Sequence, residues 1–255
     1  MNSSQFGAYA SYYNLLYKDK DYKQEIDYID GLIKKFSNIK TADILDIGCG
    51  TGNHDFLLTQ KGYSISGIDL SNDMIEVAKK RKSKTDEDID FFCCSSVNFN
   101  LNKKFDAVIS LFHVMSYQST NNEVFMSFKN AYNHLNDDGL FIFDFWYGPG
   151  VLTDRPVVRV KKMSDNKSNI IRFATPDLFP NENIVAVNYE VIVEDIKSKT
   201  IEKIYETHKM RYFFIPELEF ILKQVGFNEI TALEWLSTDK KPGFNSWYAL
   251  VVCRK

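Results

Sequence analysis

The chain has 255 residues, 44% of them hydrophobic, so it can bury the core of a full-sized α/β domain or of a domain carrying a large insertion. A formal net charge of −3 argues against a nucleic-acid partner, because proteins that bind phosphate backbones usually carry a basic surplus. The four cysteines lack the spacing of a zinc or disulfide framework, which predicts no metal centre and favours a reducing compartment. With no signal-peptide pattern and no apolar run long enough to cross a bilayer, we expect a cytoplasmic protein without a membrane partner.

Apolar residues recur every three or four positions in residues 21–36, which predicts an amphipathic helix starting near Asp21. A tyrosine-rich segment before it, from Tyr9 to Tyr17, predicts a shorter helix. Short apolar runs then alternate with helical segments, an order typical of a doubly wound, mainly parallel sheet covered on both faces. The predicted strands are residues 44–47, 64–68, 105–111 and 140–145, and the predicted helices are residues 53–61, 72–81 and 123–135.

The pattern changes after Trp146, because no helical period is evident and extended segments are separated by Pro, Asn, Asp and Ser. We interpret this region as an antiparallel β insertion with strands at residues 157–161, 170–173, 184–193 and 201–212. A helix between Pro216 and Gly226 and two last strands, at residues 230–235 and 247–253, follow it. The predicted organisation is a single domain over residues 1–255, with N-terminal helices (1–40), a ligand-binding core (41–147), the insertion (148–212) and the C-terminal helix with the last two core strands (213–255).

A glycine-rich loop, "GCGTG" at residues 48–52, lies between the first predicted strand and the next helix. Ligands of open α/β folds bind at this end of the sheet, where glycines let them approach the main chain. Asp69 closes the next strand roughly 20 residues later, the offset at which an acidic side chain accepts hydrogen bonds from a ribose. An adenosine-containing ligand is therefore predicted; the alternative is a tight turn with an acidic helix cap. Only Thr51 separates the last two glycines, which disfavours a nicotinamide oxidoreductase, whose fingerprint has two intervening residues.

The segments "DILDIGCGTGN", "GIDLSNDMIEVAKK", "FDAVISLFHVMSY" and "AYNHLNDDGLFIFDFW" resemble the class I S-adenosylmethionine-dependent methyltransferases. The resemblance implies a Rossmann-like sheet, S-adenosylmethionine as cofactor and S-adenosylhomocysteine as product. It also implies cofactor contacts to the glycine loop, the ribose-binding carboxylate and an apolar adenine wall: Gly48, Cys49 through its backbone, Gly50, Asp69, Leu70 and Met74.

One position departs from that family, whose members usually carry an acidic residue after the third strand to accept the adenine amino group. The sequence "FFCCSSVNF" offers Ser95 and Ser96 there, whose hydroxyls can accept the same hydrogen bond without charge assistance. We predict three further cofactor contacts, from Tyr17, Leu111 and Phe112.

A narrower resemblance covers nearly the whole chain. "YYNLLYKDKDY", "SLFHVMSY", "FDFWYGPG" and "ETHKMRYFFIPELEFILKQVGF" resemble bacterial N,N-dimethyltransferases that act on dTDP-linked amino sugars. Related sequences serve surface-polysaccharide pathways, in which the acceptor can be an oxygen. The resemblance thus implies a nucleotide-linked sugar and leaves N- and O-methylation open. A non-enzymatic alternative is a cofactor-binding partner subunit of another methyltransferase, and an RNA methyltransferase is disfavoured by the absence of a basic surplus.

Methyl transfer mainly requires alignment of the reacting groups, although a sugar hydroxyl also needs a well-placed base. His113 follows the fourth strand and is the first candidate for orienting or deprotonating the acceptor; the alternative is a pocket-lining residue without a proton role. His208 matches a histidine of the similar sugar N-methyltransferases and is the second candidate, with a structural role as the alternative. Tyr17 and Trp146 are the aromatic residues expected to face a cation or a sugar ring.

The insertion carries a cluster of basic residues, of which Arg155 and Arg159 are candidates for binding the diphosphate of a sugar nucleotide. The alternative is that these charges protect an exposed strand edge. We also expect the insertion to pair two copies into a homodimer. The remaining predicted acceptor contacts are Tyr13, Tyr117, Trp146, Tyr147 and Arg211.

Overall fold

The computed structural model describes residues 10–255. Its first element is a short helix, α1 (Ala10–Leu16), in the predicted tyrosine-rich segment, and Tyr9 lies outside the described residues. The long amphipathic helix α2 (Tyr22–Phe36) begins after Asp21, whose side chain accepts a 2.9 Å hydrogen bond from the amide of Gln24. This cap satisfies one of the unpaired amides of the first turn, as the sequence predicts.

The core of the protein is a parallel sheet whose strands alternate with helices. Its strand order is β3-β2-β1-β4-β5, so the chain winds outward in two directions from β1, which confirms the predicted doubly wound fold. The elements are β1 (Asp43–Ile47), α3 (Asn53–Thr59), β2 (Ser64–Asp69), α4 (Asn72–Lys82), β3 (Ile89–Cys93), β4 (Phe105–Ser110), a 3₁₀ helix (Val114–Tyr117), α5 (Asn121–His134) and β5 (Leu135–Tyr147).

The C-terminal segment returns to this sheet. Helix α7 (Ile215–Val225) has Pro216 in its first turn and ends at Gly226, which has a left-handed φ of +119°. Strand β11 (Tyr248–Arg254) then runs antiparallel to β5 and to its other neighbour, β10 (Asn228–Glu234).

The insertion is antiparallel, as predicted. It consists of β6 (Arg159–Ser164), β7 (Ser168–Phe179), β8 (Ile184–Asp195) and β9 (Ile201–Phe213) in sequential order. Strand β9 joins the insertion to the core because it pairs in parallel with the last two residues of β5. The inner face of β8 and β9 therefore lies beside the carboxyl end of the core sheet.

Two details of the insertion differ from the sequence prediction. A short helix, α6 (Gly148–Thr153), follows β5 where no helix was expected, because Pro149 is tolerated in a first helical turn. It packs closely: a Cβ on Gly150 would lie 2.1 Å from the carbonyl oxygen of Ser246. Strand β7 is also longer than the predicted residues 170–173, since it continues through Pro176 in full register with β8.

Apolar residues fill both faces of the core sheet. Helices α2 and α3 pack on one face and α5 and α7 on the other, and in β5 the consecutive residues Phe141, Ile142 and Phe143 are all buried. Leu16 of α1 packs against Ile170 and Val191, so the N-terminal helix contacts the insertion. Within residues 10–255, no helix has the length and apolar composition needed to cross a membrane.

Candidate functional site

A cavity of about 790 Å³ lies at the carboxyl ends of β1, β2 and β4, between α1 and the inner face of the insertion. Its size is that of a small-molecule site. Most of the predicted site residues line it: Tyr13, Tyr17, Gly48, Cys49, Gly50, Asp69, Leu70, Met74, Ser95, Ser96, Leu111, Phe112, His113, Tyr117, Trp146 and Arg159.

The glycine loop forms the floor of this cavity. The amides of Gly48 and Cys49 both donate to the carbonyl oxygen of Ile68, at 2.7 and 3.0 Å, which holds the loop against β2. Gly48 and Gly50 have φ values of +83° and +56°, a conformation that favours glycine. A Cβ on Gly50 would meet no atom within 4 Å, so the main chain there is bare on its cavity side.

Asp69 connects the two loops that follow β1 and β2. One carboxylate oxygen accepts from the amide of Gly50 at 2.9 Å, and the other accepts from the amide of Ser71 at 2.8 Å. Burial raises the pKa of Asp69, whereas these backbone hydrogen bonds act in the opposite direction. The carboxylate is thus fixed in place at the cavity wall, where its remaining lone pairs can accept hydroxyl hydrogens.

Apolar and hydroxyl side chains surround the cavity beyond Asp69. Leu70 is 70% exposed, whereas Met74 is buried beneath it on the first turn of α4. Ser95 and Ser96 lie after β3 at the same end of the cavity, and Oγ of Ser96 is 3.0 Å from Oγ of Ser127. The bare backbone at the glycine loop, the anchored carboxylate and the apolar wall fit the loop, ribose and adenine contacts of S-adenosylmethionine.

His113 lies on the opposite wall, at the end of β4, in contact with a buried carboxylate that the sequence analysis missed. Its Nδ1 is 2.6 Å from Oδ2 of Asp144, and its amide donates to the same carboxylate at 3.0 Å. Phe112 and His113 both adopt left-handed φ values, of +67° and +64°, and the His113 ring stacks on Tyr248 with centroids 4.3 Å apart. The nearby carboxylate and the stacked ring restrict the orientation of the imidazole, although Nδ1 is not aligned for a hydrogen bond with any described residue. The sequence feature that could have indicated Asp144 is an acidic residue within the otherwise apolar strand "FIFDFW".

The aromatic wall includes the two residues singled out from the sequence. The hydroxyl of Tyr17 accepts from Nη1 of Arg172 at 3.0 Å, and its ring meets the edge of Phe112 with centroids 5.1 Å apart. Trp146 packs at a steep angle on Trp247, with centroids 5.0 Å apart. Aromatic faces beside the cavity can attract a cationic ligand.

Four predicted site residues do not line the cavity. Arg211 instead donates to Asn121 at 2.7 Å and forms an ion pair with Glu217, which corrects its assignment as an acceptor contact, because both bonds tie β9 to the α5 and α7 side of the core. Tyr147 packs into the apolar core, and Arg155 is exposed outside the cavity wall.

His208, the fourth, is buried behind a cavity-lining tyrosine. Its Nδ1 is 2.8 Å from the hydroxyl of Tyr117, and its Nε2 is 3.0 Å from Oε2 of Glu206. His208 was predicted as the second candidate for orienting or deprotonating the acceptor, but it does not line the cavity, and Tyr117 lies between its ring and the cavity.

A histidine expected to be structural, His54, does line the cavity. Its Nε2 is 2.7 Å from Oε2 of Glu25 on α2, and Lys20 forms an ion pair with the same carboxylate. Burial alone would raise the pKa of Glu25, but His54 and Lys20 lower it below its ordinary value. No local pattern in the sequence indicates this cluster, because Glu25 reads as one polar position of an amphipathic helix.

Two further carboxyl groups are buried behind the glycine loop. Asp46 on β1 and Asp55 on α3 interact with each other, and Oδ1 of Asp46 and both carboxyl oxygens of Asp55 have no hydrogen-bond donor among the described residues. Burial raises the pKa of both groups, and the charge of Asp55 raises that of Asp46 further. The pair therefore retains a proton in the folded protein to higher pH than ordinary carboxyl groups do.

Comparison with known proteins identifies the core. Residues 44–139 match a protein family described as a methyltransferase domain. YqeM of Bacillus subtilis, a predicted methyltransferase, is 25% identical over 222 residues, which cover 87% of this chain and 86% of that protein.

A second relative has a named substrate. The dTDP-3-amino-3,4,6-trideoxy-alpha-D-glucopyranose N,N-dimethyltransferase of Streptomyces venezuelae is 30% identical over 148 residues, which cover 57% of this chain and 60% of that enzyme. The match thus spans less than two thirds of that relative's length.

The fold has solved counterparts. The crystal structure of an S-adenosylmethionine-dependent methyltransferase from Clostridium acetobutylicum superposes with a TM-score of 0.82 at 23% identity, covering 97% of this chain and 99% of that one. The matched segment shows that residues 44–139 form a methyltransferase domain, and the superposition shows that the chain has the Rossmann-like fold of an S-adenosylmethionine-dependent methyltransferase.

Proposed function

We propose that this methyltransferase acts on the amino group of a nucleotide-linked sugar. S-adenosylmethionine supplies a methyl group already activated by its sulfonium, so the protein's main task is to align the acceptor and manage its proton. The observation that carries the proposal is His113, oriented by the buried Asp144, on the same cavity as the glycine loop and Asp69.

His113 has the geometry of a group that accepts a proton from the acceptor. Because the Asp144 carboxylate lies 2.6 Å from Nδ1, it favours a proton on that nitrogen, which leaves the lone pair on Nε2. The stacked Tyr248 ring restricts the imidazole plane, and the hydrogen bond from the His113 amide to Asp144 fixes the backbone at this position. An amine must be neutral to react, and an Nε2 lone pair beside it can take up the proton that methylation releases.

The acceptor class is supported by the relative from Streptomyces venezuelae and by charge at the cavity mouth. That enzyme is named for a dTDP-linked amino sugar. Arg159 and Arg172 both line the cavity on the insertion side, opposite the loop after β2. Guanidinium groups suit diphosphate oxygens, so we assign the nucleotide part of the acceptor to this side.

The test is to incubate the protein with S-adenosylmethionine and a dTDP-linked amino-dideoxyhexose, and to measure S-adenosylhomocysteine and the mass of the sugar. We expect a gain of one or two methyl groups, and slower turnover of the same amino sugar without its nucleotide. Cofactor binding with no methylated amino sugar would refute the acceptor while leaving the methyltransferase assignment in place.

A second candidate, O-methylation of a sugar in surface-polysaccharide synthesis, is favoured by the same histidine. A hydroxyl has a far higher pKa than an ammonium group and needs the oriented base that His113 and Asp144 provide. Replacing the amino sugar by its hydroxyl counterpart in the same assay separates the two candidates, because only an O-methyltransferase would methylate it.

A further inference from the structure

Three hydrogen-bonded polar side chains, two of them almost closed to water, lead from the insertion to the cavity. The hydroxyl of Tyr117 is 2.8 Å from Nδ1 of His208, and Nε2 of His208 is 3.0 Å from Oε2 of Glu206. The side chains of His208 and Glu206 are 2% and 8% exposed, and only Tyr117 lines the cavity. The 3₁₀ helix after β4 supplies Tyr117, whereas β9 supplies the other two residues from alternate positions on one face.

Glu206 determines the direction of both hydrogen bonds in this network. An ionised carboxylate accepts hydrogen bonds only, so Glu206 requires a proton on Nε2 of His208. In a neutral imidazole, Nδ1 then carries the lone pair and accepts the hydroxyl hydrogen of Tyr117. The opposite tautomer would set two lone pairs against each other at 3.0 Å, in a site that is almost closed to water.

We propose that His208 and Glu206 are positioning residues that make Tyr117 a hydrogen-bond acceptor toward the cavity, where its oxygen binds an N–H of the acceptor amine. Tyr117 is then the residue that touches substrate. This inference rests on the proposed function, since it concerns the group that receives the methyl.

The direction of this hydrogen bond matters for an amine nucleophile. A donor aimed at the nitrogen would occupy the lone pair that must attack, whereas an acceptor binds an N–H and leaves that lone pair available. Tyr117 and His113 both follow β4 and line the same cavity. In the proposed arrangement, Tyr117 holds the nitrogen and His113 takes up its proton. No covalent bond to the protein forms.

The first test compares two tyrosine variants. Tyr117→Phe removes the hydroxyl and should raise the KM for the amino sugar about 3- to 10-fold, while the Kd of S-adenosylmethionine stays unchanged. Tyr205→Phe is the matched control, because it removes a tyrosine hydroxyl from β9 outside the cavity. Tyr205 is 64% exposed, and its hydroxyl donates to Glu190 on the neighbouring strand. This control variant should leave both constants unchanged. An unchanged KM in Tyr117→Phe would overturn the proposal.

The second test measures the direction of these hydrogen bonds directly and does not require enzymatic turnover. In ¹⁵N-labelled protein, NMR of the His208 ring distinguishes a proton on Nε2 from one on Nδ1 or on both nitrogens. We expect protonation on Nε2 alone in the wild type at neutral pH, and a change of that spectrum in Glu206→Gln together with a higher KM for the amino sugar. Protonation on Nδ1 in the wild type would contradict the inference.

These outcomes separate this inference from the proposed function. If the wild type methylates no amino sugar, the proposed function fails. The His208 spectrum still shows whether the Tyr117 hydroxyl donates to His208. If the wild type methylates the amino sugar but Tyr117→Phe has the same KM, the proposed function stands and the role of Tyr117 is refuted.

Discussion

Gly48 is the position of the cofactor loop where a single added methyl group should do the most damage. Its φ of +83° is left-handed, and a Cβ built there would lie 2.5 Å from each γ-methyl of Val114. The backbone conformation costs an L-residue about 1–2 kcal/mol. Forcing a methyl group into occupied space adds about 1–3 kcal/mol. Gly48→Ala should therefore lower the free energy of unfolding by roughly 2–5 kcal/mol.

Urea unfolding of four variants tests this calculation: Gly48→Ala, Gly50→Ala, Val114→Ala and the double variant Gly48→Ala/Val114→Ala. Gly50→Ala is the matched control, because Gly50 also has a left-handed φ, of +56°, but its Cβ would meet no atom within 4 Å. It should lose only about 1–2 kcal/mol, the conformational part of the cost. Val114→Ala removes both clashing methyl groups, so combining it with Gly48→Ala should recover part of the loss in a double-mutant cycle.

Two results would refute this reasoning. Equal stability of the Gly48→Ala and Gly50→Ala variants would mean that Val114 does not pack against the loop. A double-mutant cycle with no coupling between Gly48 and Val114 would mean that the loss has another origin. A stable Gly48→Ala variant with unchanged S-adenosylmethionine affinity would further show that the loop conformation is not required for binding.

Three further predictions follow from the site. His113→Ala and Asp144→Asn should each reduce kcat about 10²-fold or more while cofactor affinity is retained. Full activity of the His113→Ala variant would show that His113 does not take up the proton. Because burial raises the pKa of Asp46 and Asp55, the folded state binds protons that the unfolded state has released above about pH 4, so stability should fall as pH rises. Between pH 5 and pH 8, the urea midpoint of Asp55→Asn should decrease less than that of the wild type. An equal decrease in the variant and the wild type would contradict this. Ser95→Asp should tighten S-adenosylmethionine binding measured by calorimetry if Ser95 faces the adenine amino group; unchanged or weaker binding would count against that position.

The elements of the core were predictable because their signals are local. An apolar run that ends in glycine, followed by an amphipathic segment, specifies a strand, a loop and a helix without reference to distant residues. The same holds for Asp69, whose place at the end of β2 follows from its offset to the glycine loop. The antiparallel insertion was also predictable, although Pro176 concealed the length of β7 because proline usually interrupts a strand.

The interactions within the site were harder to predict because they join residues distant in sequence. Asp144 contacts a histidine 31 positions away, and an acidic residue within an apolar strand does not by itself indicate which side chain it contacts. Arg211 was misassigned for the same reason: a basic residue near the cavity was assumed to face a ligand, whereas Glu217 and Asn121 bind it within the fold. His208 was a sequence candidate for contacting the acceptor, but only the structure reveals Tyr117 between it and the cavity.

The most direct test of the account is the mass of a dTDP-linked amino-dideoxyhexose after incubation with the protein and S-adenosylmethionine, with S-adenosylhomocysteine measured in the same sample. We expect one or two added methyl groups on the sugar, matched by an equal amount of S-adenosylhomocysteine. Bound S-adenosylmethionine with no methyl added to this sugar would contradict the claim that His113 and Tyr117 form a site for a sugar amine.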